Sequence, residues 1–169
     1  MLNPQAKCGN IIRYMEKYMR EALDQAAKAR TMGEVPVGAV IEKDGVILGR
    51  GHNRTESLKD PTAHAEILAI REAAEALGGW RLYVCTIYVT TEPCSMCAGA
   101  IVLSRISRVV IGTRDPKAGA CGSVLDVLGE PRLNHHPEAV FGVLEAECRQ
   151  IMQDFFGSLR KRKSEDYTK

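Results

Sequence analysis

Apolar residues recur at helical spacing near both ends of the chain. Between residues 11 and 32 they fall three or four positions apart, which predicts an amphipathic helix. A second apolar stripe runs from Leu144 to Leu159 and predicts the last helix. We expect residues 1–10, which contain Pro4 and Gly9, to form a loose leader, and residues 161–169 to form a polar tail. The pattern thus predicts a folded domain over residues 11–160.

Short apolar runs rich in β-branched residues predict strands between these two helices. The runs at residues 37–41 and 46–49 flank Lys43-Asp44-Gly45, and Asp-Gly between apolar runs is typical of a hairpin. Three further runs predict the remaining strands: 84–89, 106–111 and 139–143.

Two more helices are predicted to connect the strands. Asp60-Pro61 is typical of a helix start, with Asp60 as the cap, and Gly78-Gly79 ends that helix. Another helix is predicted from Cys94 to about Leu103. Strand, helix and strand joined by short links predict a parallel pair with a right-handed crossover. Residues 112–137 show little periodicity, which in a compact domain is typical of a functional or disordered segment.

Composition limits the functional classes without choosing among them. A chain of 169 residues predicts one domain. The net charge of +2 gives weak support for a nucleic-acid partner. No stretch approaches the roughly 18 unbroken apolar residues of a membrane helix, and residues 1–10 carry no secretory apolar segment. We therefore expect no membrane partner and a cytoplasmic location.

The chain has six cysteines, which we do not expect to form disulfides. Disulfide frameworks belong mainly to small secreted domains. Cys94 and Cys97 are assigned to a metal. Four cysteines are expected to be free thiols that pack as small apolar residues: Cys8, Cys85, Cys121 and Cys148.

Two short motifs carry the chemistry: His64-Ala65-Glu66 and Pro93-Cys94-Ser95-Met96-Cys97. One histidine and two cysteines are good zinc ligands, and a three-ligand zinc keeps its fourth position for water, whose pKa it lowers towards ~7. Glu66 can then carry the protons of that water. The motifs therefore predict a hydrolytic site.

Cys-x-x-Cys alone is also typical of a structural zinc site or a redox pair. A structural site needs a fourth ligand, which His135 or His136 could supply. A redox pair leaves His64 and Glu66 unexplained. The non-ligand carboxylate of Glu66 favours catalysis, because a structural zinc has no use for it.

The spacing of His64 and Glu66 poses a geometric problem. Residues two apart in a regular helix point about 200° apart. We therefore expect either that His64 occupies an imperfect first turn or that Glu66 reaches the water through its longer side chain. Cys94 and Cys97, three apart, fall on one face of a helix start, where the positive end of the helix favours thiolates.

The two motifs resemble those of zinc-dependent nucleobase deaminases. Over residues 15–160 the chain further resembles the bacterial tRNA-specific adenosine deaminases, which convert wobble adenosine to inosine in an arginine tRNA anticodon. The matching segments are 34–40, 60–67, 92–100, 114–119, 122–128, 133–135 and 154–156. The segments after the cysteine motif discriminate most, because deaminases of free bases share the zinc motifs and differ there.

This resemblance implies an α/β fold, a three-layer αβα sandwich around a five-stranded mixed sheet. It implies one Zn²⁺ per subunit on His64, Cys94 and Cys97, proton transfer by Glu66, a homodimer, and the tRNA anticodon stem-loop as partner. The substrate contacts that it implies are Asn53, which would bind the flipped adenine, and Asp115, Lys117, Asn134 and Phe156 along the anticodon loop.

Interpretations of these residues without a functional role stay open. Asn53 is also typical of a turn. Asp115, Lys117 and Asn134 would otherwise be solvated loop residues, and Phe156 would belong to a helix core. The basic run 160–163 would add phosphate contacts or be merely solvated. Two other functions stay open. One is deamination of a free nucleobase or nucleotide such as guanine or cytosine. The other is a non-catalytic RNA-binding subunit, in which we would expect Glu66 to be lost.

Overall fold

The computed structural model describes the backbone of residues 4–166 and the side chains of residues 9–161. Its elements are, in chain order, α1 Pro4–Thr31, β1 Gly38–Lys43, β2 Val46–His52, α2 Thr55–Leu58, α3 Ala65–Leu77, β3 Thr86–Thr91, α4 Ser95–Leu103, β4 Arg108–Thr113, β5 Glu138–Phe141 and α5 Glu145–Asp166.

The five strands form one mixed sheet in the order β2-β1-β3-β4-β5. β1 pairs with β2 and with β3 in antiparallel fashion, whereas β3, β4 and β5 run parallel. The β1–β2 hairpin turns at Asp44 and Gly45, which both have positive φ angles. The predicted hairpin and the predicted parallel pair around α4 are both confirmed.

Helices cover both faces of the sheet. Alternate strand residues point to opposite faces, as the two-residue period of a strand requires. Val40, Tyr88 and Val110 pack with residues of α1 and α5. Their neighbours along the same strands, such as Ile41 and Ile87, pack with residues of α3 and α4. The predicted αβα sandwich is confirmed.

The terminal helices are longer than the apolar stripes that predict them. α1 begins at Pro4 rather than near Ile11, so residues 4–10, expected as a loose leader, belong to the helix. α5 continues to Asp166, so most of the expected polar tail is helical. Apolar periodicity marks only the packed part of a helix, and its polar extensions have no such signal. Residues 1–3 and 167–169 lie outside the described residues, and the domain boundaries stay a prediction.

The helix expected from Asp60 begins later, at Ala65. Asp60 does cap a turn, because its Oδ1 accepts the Thr62 N–H at 2.8 Å, but that turn precedes the helix. Gly78, with φ 66°, ends α3 as predicted. The four-residue α2 was not predicted.

Two further expectations can be compared with the described residues. Cys85, Cys121 and Cys148 are free and buried, as expected, whereas the side chain of Cys8 lies outside the described part. Within that part, no helix is both long enough and apolar enough to cross a membrane.

Candidate active site

His64 lies immediately before α3 rather than inside it. As the N-cap it has extended backbone angles, φ −78° and ψ 154°, while Glu66 belongs to the first helical turn. Because the helical period starts after His64, the two side chains are not held to opposite sides of a helix. The geometric problem therefore does not arise, because His64 precedes the first turn instead of occupying an imperfect one.

The two cysteines occupy the equivalent place on α4. Cys94 is the N-cap, with φ −71° and ψ 174°, and the buried Cys97 lies in the first turn. β3 ends at Thr91, so this helix start follows directly from the carboxyl end of a central strand. Such edges are the usual place for sites in α/β sheets.

The three ligand atoms have the spacing of a tetrahedral metal site. His64 Nδ1 lies 3.7 Å from Cys94 Sγ and 3.6 Å from Cys97 Sγ. Zn–S and Zn–N bonds of about 2.3 and 2.0–2.1 Å at tetrahedral angles place sulfur and nitrogen roughly 3.5 Å apart. The donor set and its geometry therefore fit Zn²⁺.

Neither of the two candidate fourth ligands joins this group. His135 Nε2 lies 2.6 Å from the carbonyl oxygen of Ile106, and His136 Nδ1 lies 3.3 Å from that of Leu128. Among the described side chains, the metal-type cluster comprises His64, Cys94 and Cys97 alone. The described residues therefore supply three candidate ligands, the number typical of catalytic zinc centres, whereas structural centres have four.

Glu66 is a buried carboxyl beside the three ligand side chains. Its side chain is 3% exposed, and its Oε2 atom has no hydrogen-bond partner in the described part of the protein. Burial raises the pKa of this carboxyl, although the nearby His64 opposes the shift. A buried carboxyl oxygen without a protein partner is suited to bind and release protons of a ligand.

The thiols differ in their readiness to ionise. Side-chain hydrogen bonds from Cys97 and His64 lower the pKa of Cys94 to about 3. The adjacent Cys94 sulfur and burial raise the pKa of Cys97. The bond to Cys94 also raises the pKa of His64. One thiolate therefore forms readily, and a bound cation favours the second.

Asn53 is held rigidly beside the start of α3. Its Oδ1 accepts the backbone N–H of Ala65 at 2.9 Å, and its own backbone N–H donates to the Val37 carbonyl at 3.1 Å. The side chain is buried. With its carbonyl oxygen engaged, Asn53 offers the side-chain NH₂ to a ligand.

The turn at Asp115 lies next to the cysteine motif. Asp115 Oδ1 accepts the backbone N–H groups of Lys117 at 2.9 Å and Ala118 at 3.3 Å. The side chain of Lys117 is exposed. Glu92 anchors this turn, because its Oε2 accepts the Asp115 N–H at 3.1 Å. Glu92 is not among the site residues that the sequence motifs predict. The signal that indicates it is an acidic residue directly after a buried strand.

The other two expected contact residues, Asn134 and Phe156, lie on separate parts of the chain. Asn134 Oδ1 accepts a hydrogen bond from Arg105 Nη1 at 2.5 Å, beyond the end of α4 that is opposite Cys94. Within one chain, the structure does not bring Asn134 to the ligand group. Phe156 is 41% exposed and packs edge-on against Phe155, with ring centroids 5.4 Å apart.

α5 runs alongside α1 in the same direction. Ion pairs join Arg20 to Glu147 at 2.9 Å and Arg30 to Asp154 at 3.9 Å. α1 ends at the edge of the sheet where β3 leads into Cys94, because its residues 22–26 lie over Gly38, whose N–H donates to Thr90 Oγ1. The turns of α5 after Asp154 therefore extend past this edge.

Comparisons with known proteins agree with this site. Residues 14–160 match the MafB19-like deaminase family. The tRNA-specific adenosine deaminase of Bacillus subtilis (strain 168) is 53% identical over 148 residues, which cover 88% of this chain and 92% of that protein. The chain belongs to the tRNA-specific adenosine deaminases. The three-ligand cluster and the glutamate thus lie in a chain of this family.

Two solved structures are similar to this chain. One comes from work on A-to-I editing by tRNA:A34 deaminases at the wobble position of transfer RNA. It is 46% identical, with a TM-score of 0.78, and the match covers 80% of the present chain and 98% of the solved one. Guanine deaminase from Bacillus subtilis is 32% identical, with a TM-score of 0.58, over 86% and 93% of the two chains.

A second buried carboxylate, Glu34, supports the segment that follows Asn53. It accepts the backbone N–H groups of Glu56 at 3.1 Å and Ser57 at 2.7 Å at the start of α2. Burial opposes its charge, but the hydrogen bonds from Ser57 and Glu56 prevail and lower the pKa of Glu34 below its ordinary 4.5.

Glu34→Gln is expected to lower the free energy of unfolding in a pH-dependent way. A carboxyl whose pKa is lower in the folded state contributes stability above its unfolded pKa, and this contribution is lost as pH falls through the folded value. Urea unfolding should therefore show a difference between wild type and Glu34→Gln at about pH 7 that shrinks below 4.5. Glu75→Gln, at an exposed position on α3, is the control. A difference that does not change with pH would contradict this account.

Proposed function

We propose that this chain is a zinc-dependent hydrolase that converts the wobble adenosine of a tRNA anticodon to inosine, with an arginine tRNA as the expected substrate. The observation that carries the proposal is the tetrahedral spacing of three ligand atoms beside an unpartnered, buried oxygen of Glu66. The 53% identity to a tRNA-specific adenosine deaminase supports the choice of substrate. Such a substrate favours a cytoplasmic location, which stays a prediction.

His64, Cys94 and Cys97 would hold one Zn²⁺ per subunit. When bound, the ion supplies a water molecule whose pKa is lowered towards neutrality. The chain contributes no fourth ligand from its described residues, so one position is left for that water.

Glu66 would move the protons of the reaction. Hydrolytic deamination adds water to the purine carbon that bears the amino group and releases ammonia. Oε2 of Glu66 accepts a proton from the water and returns protons to the ring nitrogen and to the departing amine. General acid–base catalysis of this kind contributes about 10²- to 10⁴-fold.

The remaining residues would bind the RNA. The NH₂ group of Asn53 is the donor available to the flipped adenine. Asp115, Lys117 and Asn134 would line the path of the anticodon loop, and the exposed ring of Phe156 suits stacking on a base. These four assignments rest on the resemblance of the surrounding segments to the family. The basic run 160–163 on α5 would add phosphate contacts.

Deamination of a free base is the second candidate. The observation in its favour is the likeness to guanine deaminase, at 32% identity. The adenosine deaminase relative is more similar in sequence, and the wobble-editing structure has the higher TM-score, 0.78 against 0.58. The tRNA substrate is therefore the better supported of the two.

The function predicts inosine in an arginine tRNA anticodon stem-loop after incubation with the wild-type protein, and no ammonia from free adenine, guanine or cytosine. Glu66→Ala should lose at least 10²-fold of this turnover and keep its zinc, because Glu66 carries protons and does not bind the metal. Nucleoside analysis and metal analysis measure the two outcomes. An unmodified stem-loop would end the proposal, and loss of zinc from Glu66→Ala would show that Glu66 is a ligand.

We propose further that two copies of the chain associate through α4. This helix is apolar on both sides: Cys97, Ala98, Ile101 and Val102 are buried, whereas Met96, Gly99, Ala100 and Leu103 form an outer stripe at helical spacing. Leu103 is 70% exposed. A helix that is apolar all round is normally buried, so we expect another protein surface to cover the outer stripe. In the homodimer implied by the family, the second copy of the chain would provide this surface.

Leu103→Glu is expected to yield monomers at concentrations where the wild type is dimeric, because the variant would bury a charge without a partner. Sedimentation velocity measures the distribution. Val46→Glu alters another exposed aliphatic residue, on β2, and should leave the dimer intact. A monomeric wild type, or a dimer that survives Leu103→Glu, would contradict this interface.

A further inference from the structure

Glu92 is a buried carboxylate that binds one segment of the chain with both oxygens. It follows β3, two residues before Cys94, and is 3% exposed. Its Oε1 accepts the backbone N–H groups of Cys121 at 3.0 Å and Ser123 at 3.1 Å. Its Oε2 accepts the Asp115 N–H at 3.1 Å and the Ser123 hydroxyl. All four donors lie in residues 115–123.

The segment packs closely around this carboxylate. The Ala120 N–H donates to the Pro93 carbonyl at 2.8 Å, which adds a backbone link beside the carboxylate. A Cβ atom at Gly119 would lie 2.5 Å from Glu92 Cδ and 2.6 Å from the Asp115 carbonyl oxygen. Only glycine allows so close an approach, so the segment has little freedom to shift while the carboxylate is in place.

The bond to Asp115 connects the carboxylate to an exposed turn. Asp115 gives its backbone N–H to Glu92, and its own side chain accepts the N–H groups of Lys117 and Ala118. The orientation of Lys117 therefore depends on two successive hydrogen bonds. Glu92 binds Asp115, and Asp115 binds Lys117. Burial of a carboxylate is costly unless it is fully hydrogen-bonded, and here four donors offset that cost.

We propose that Glu92 is a positioning residue that fixes the turn 115–118 relative to the metal ligand Cys94. It would thereby hold the surface that meets the anticodon loop and the reacting centre in one geometry. Its effect falls on RNA binding rather than on the chemical step. This inference rests on the proposed function, because it takes the turn 115–118 to be an RNA contact.

Glu92→Gln separates this role from general support of the fold. The amide has the same shape but only one accepting oxygen. That oxygen can keep the bonds from Cys121 and Ser123, and the Ser123 hydroxyl can turn to accept from the new NH₂ group. The Asp115 N–H cannot accept, so its bond is lost. The variant therefore releases the exposed turn and retains the rest of the segment.

Steady-state kinetics on the anticodon stem-loop tests the proposal with the zinc-loaded protein. Glu92→Gln should raise KM about tenfold, the equivalent of one lost hydrogen bond to a charged group, and leave kcat within about twofold. Zinc content should equal that of the wild type, and hydrogen exchange at residues 115–118 should accelerate. Ser123→Ala, which removes only the hydroxyl bond, should raise KM by less, about threefold.

Glu42→Gln is the matched control. Glu42 is also buried, and its Oε1 accepts the Tyr14 hydroxyl at 2.7 Å and the Gly45 N–H at 2.6 Å, at the other end of β1 from the site. This variant should lose stability and leave KM unchanged.

Three outcomes would overturn the positioning role. The first is an unchanged KM in Glu92→Gln or, if that variant does not fold, in Ser123→Ala. The second is a fall in kcat together with loss of zinc, which would mean that Glu92 supports the metal centre. The third is an equal rise in KM for Glu42→Gln. An inactive wild type on the stem-loop would instead overturn the proposed function, and the positioning role with it.

Discussion

The convergence of two helix starts at the carboxyl end of β3 is the constraint on which the site depends. His64 and Cys94 are both N-caps with extended backbones, and Cys97 lies in the first turn of α4. This arrangement brings one nitrogen and two sulfurs to the spacing of a tetrahedral zinc. It also turns the positive ends of two helices towards the thiols, which favours thiolates. The sheet is the frame that brings these two helix starts together.

Three buried glutamates, Glu34, Glu66 and Glu92, have different environments. Glu66 has an unpartnered oxygen and a raised pKa, which suits it to carry protons. Glu34 and Glu92 accept several hydrogen bonds and have lowered pKa values, which suits them to hold chain segments. In each of these two, burial disfavours the charge and the hydrogen bonds outweigh it. The pKa of the same residue type is thus raised or lowered according to the number of donors that face it.

Local patterns in the sequence predict most of this structure. The Asp44-Gly45 turn, the strands and the crossover through α4 follow from short-range periodicity, and the candidate metal ligands follow from their spacing. The roles of Glu34 and Glu92 could not be predicted in this way, because their donors lie about 22 to 31 residues away in the chain. The start of α3 was misplaced for a related reason, since Asp60 and Pro61 are equally suited to a turn that precedes a helix.

The central claim is that the chain binds zinc through three side chains and leaves one coordination position open. X-ray absorption spectroscopy of the zinc-loaded protein tests it most directly. We expect two sulfur ligands at about 2.3 Å and two nitrogen or oxygen ligands at about 2.0–2.1 Å, one of them from water. In His64→Ala one nitrogen ligand should be lost while both sulfurs remain. A first shell with three or four sulfurs, or with two histidines, would contradict the account.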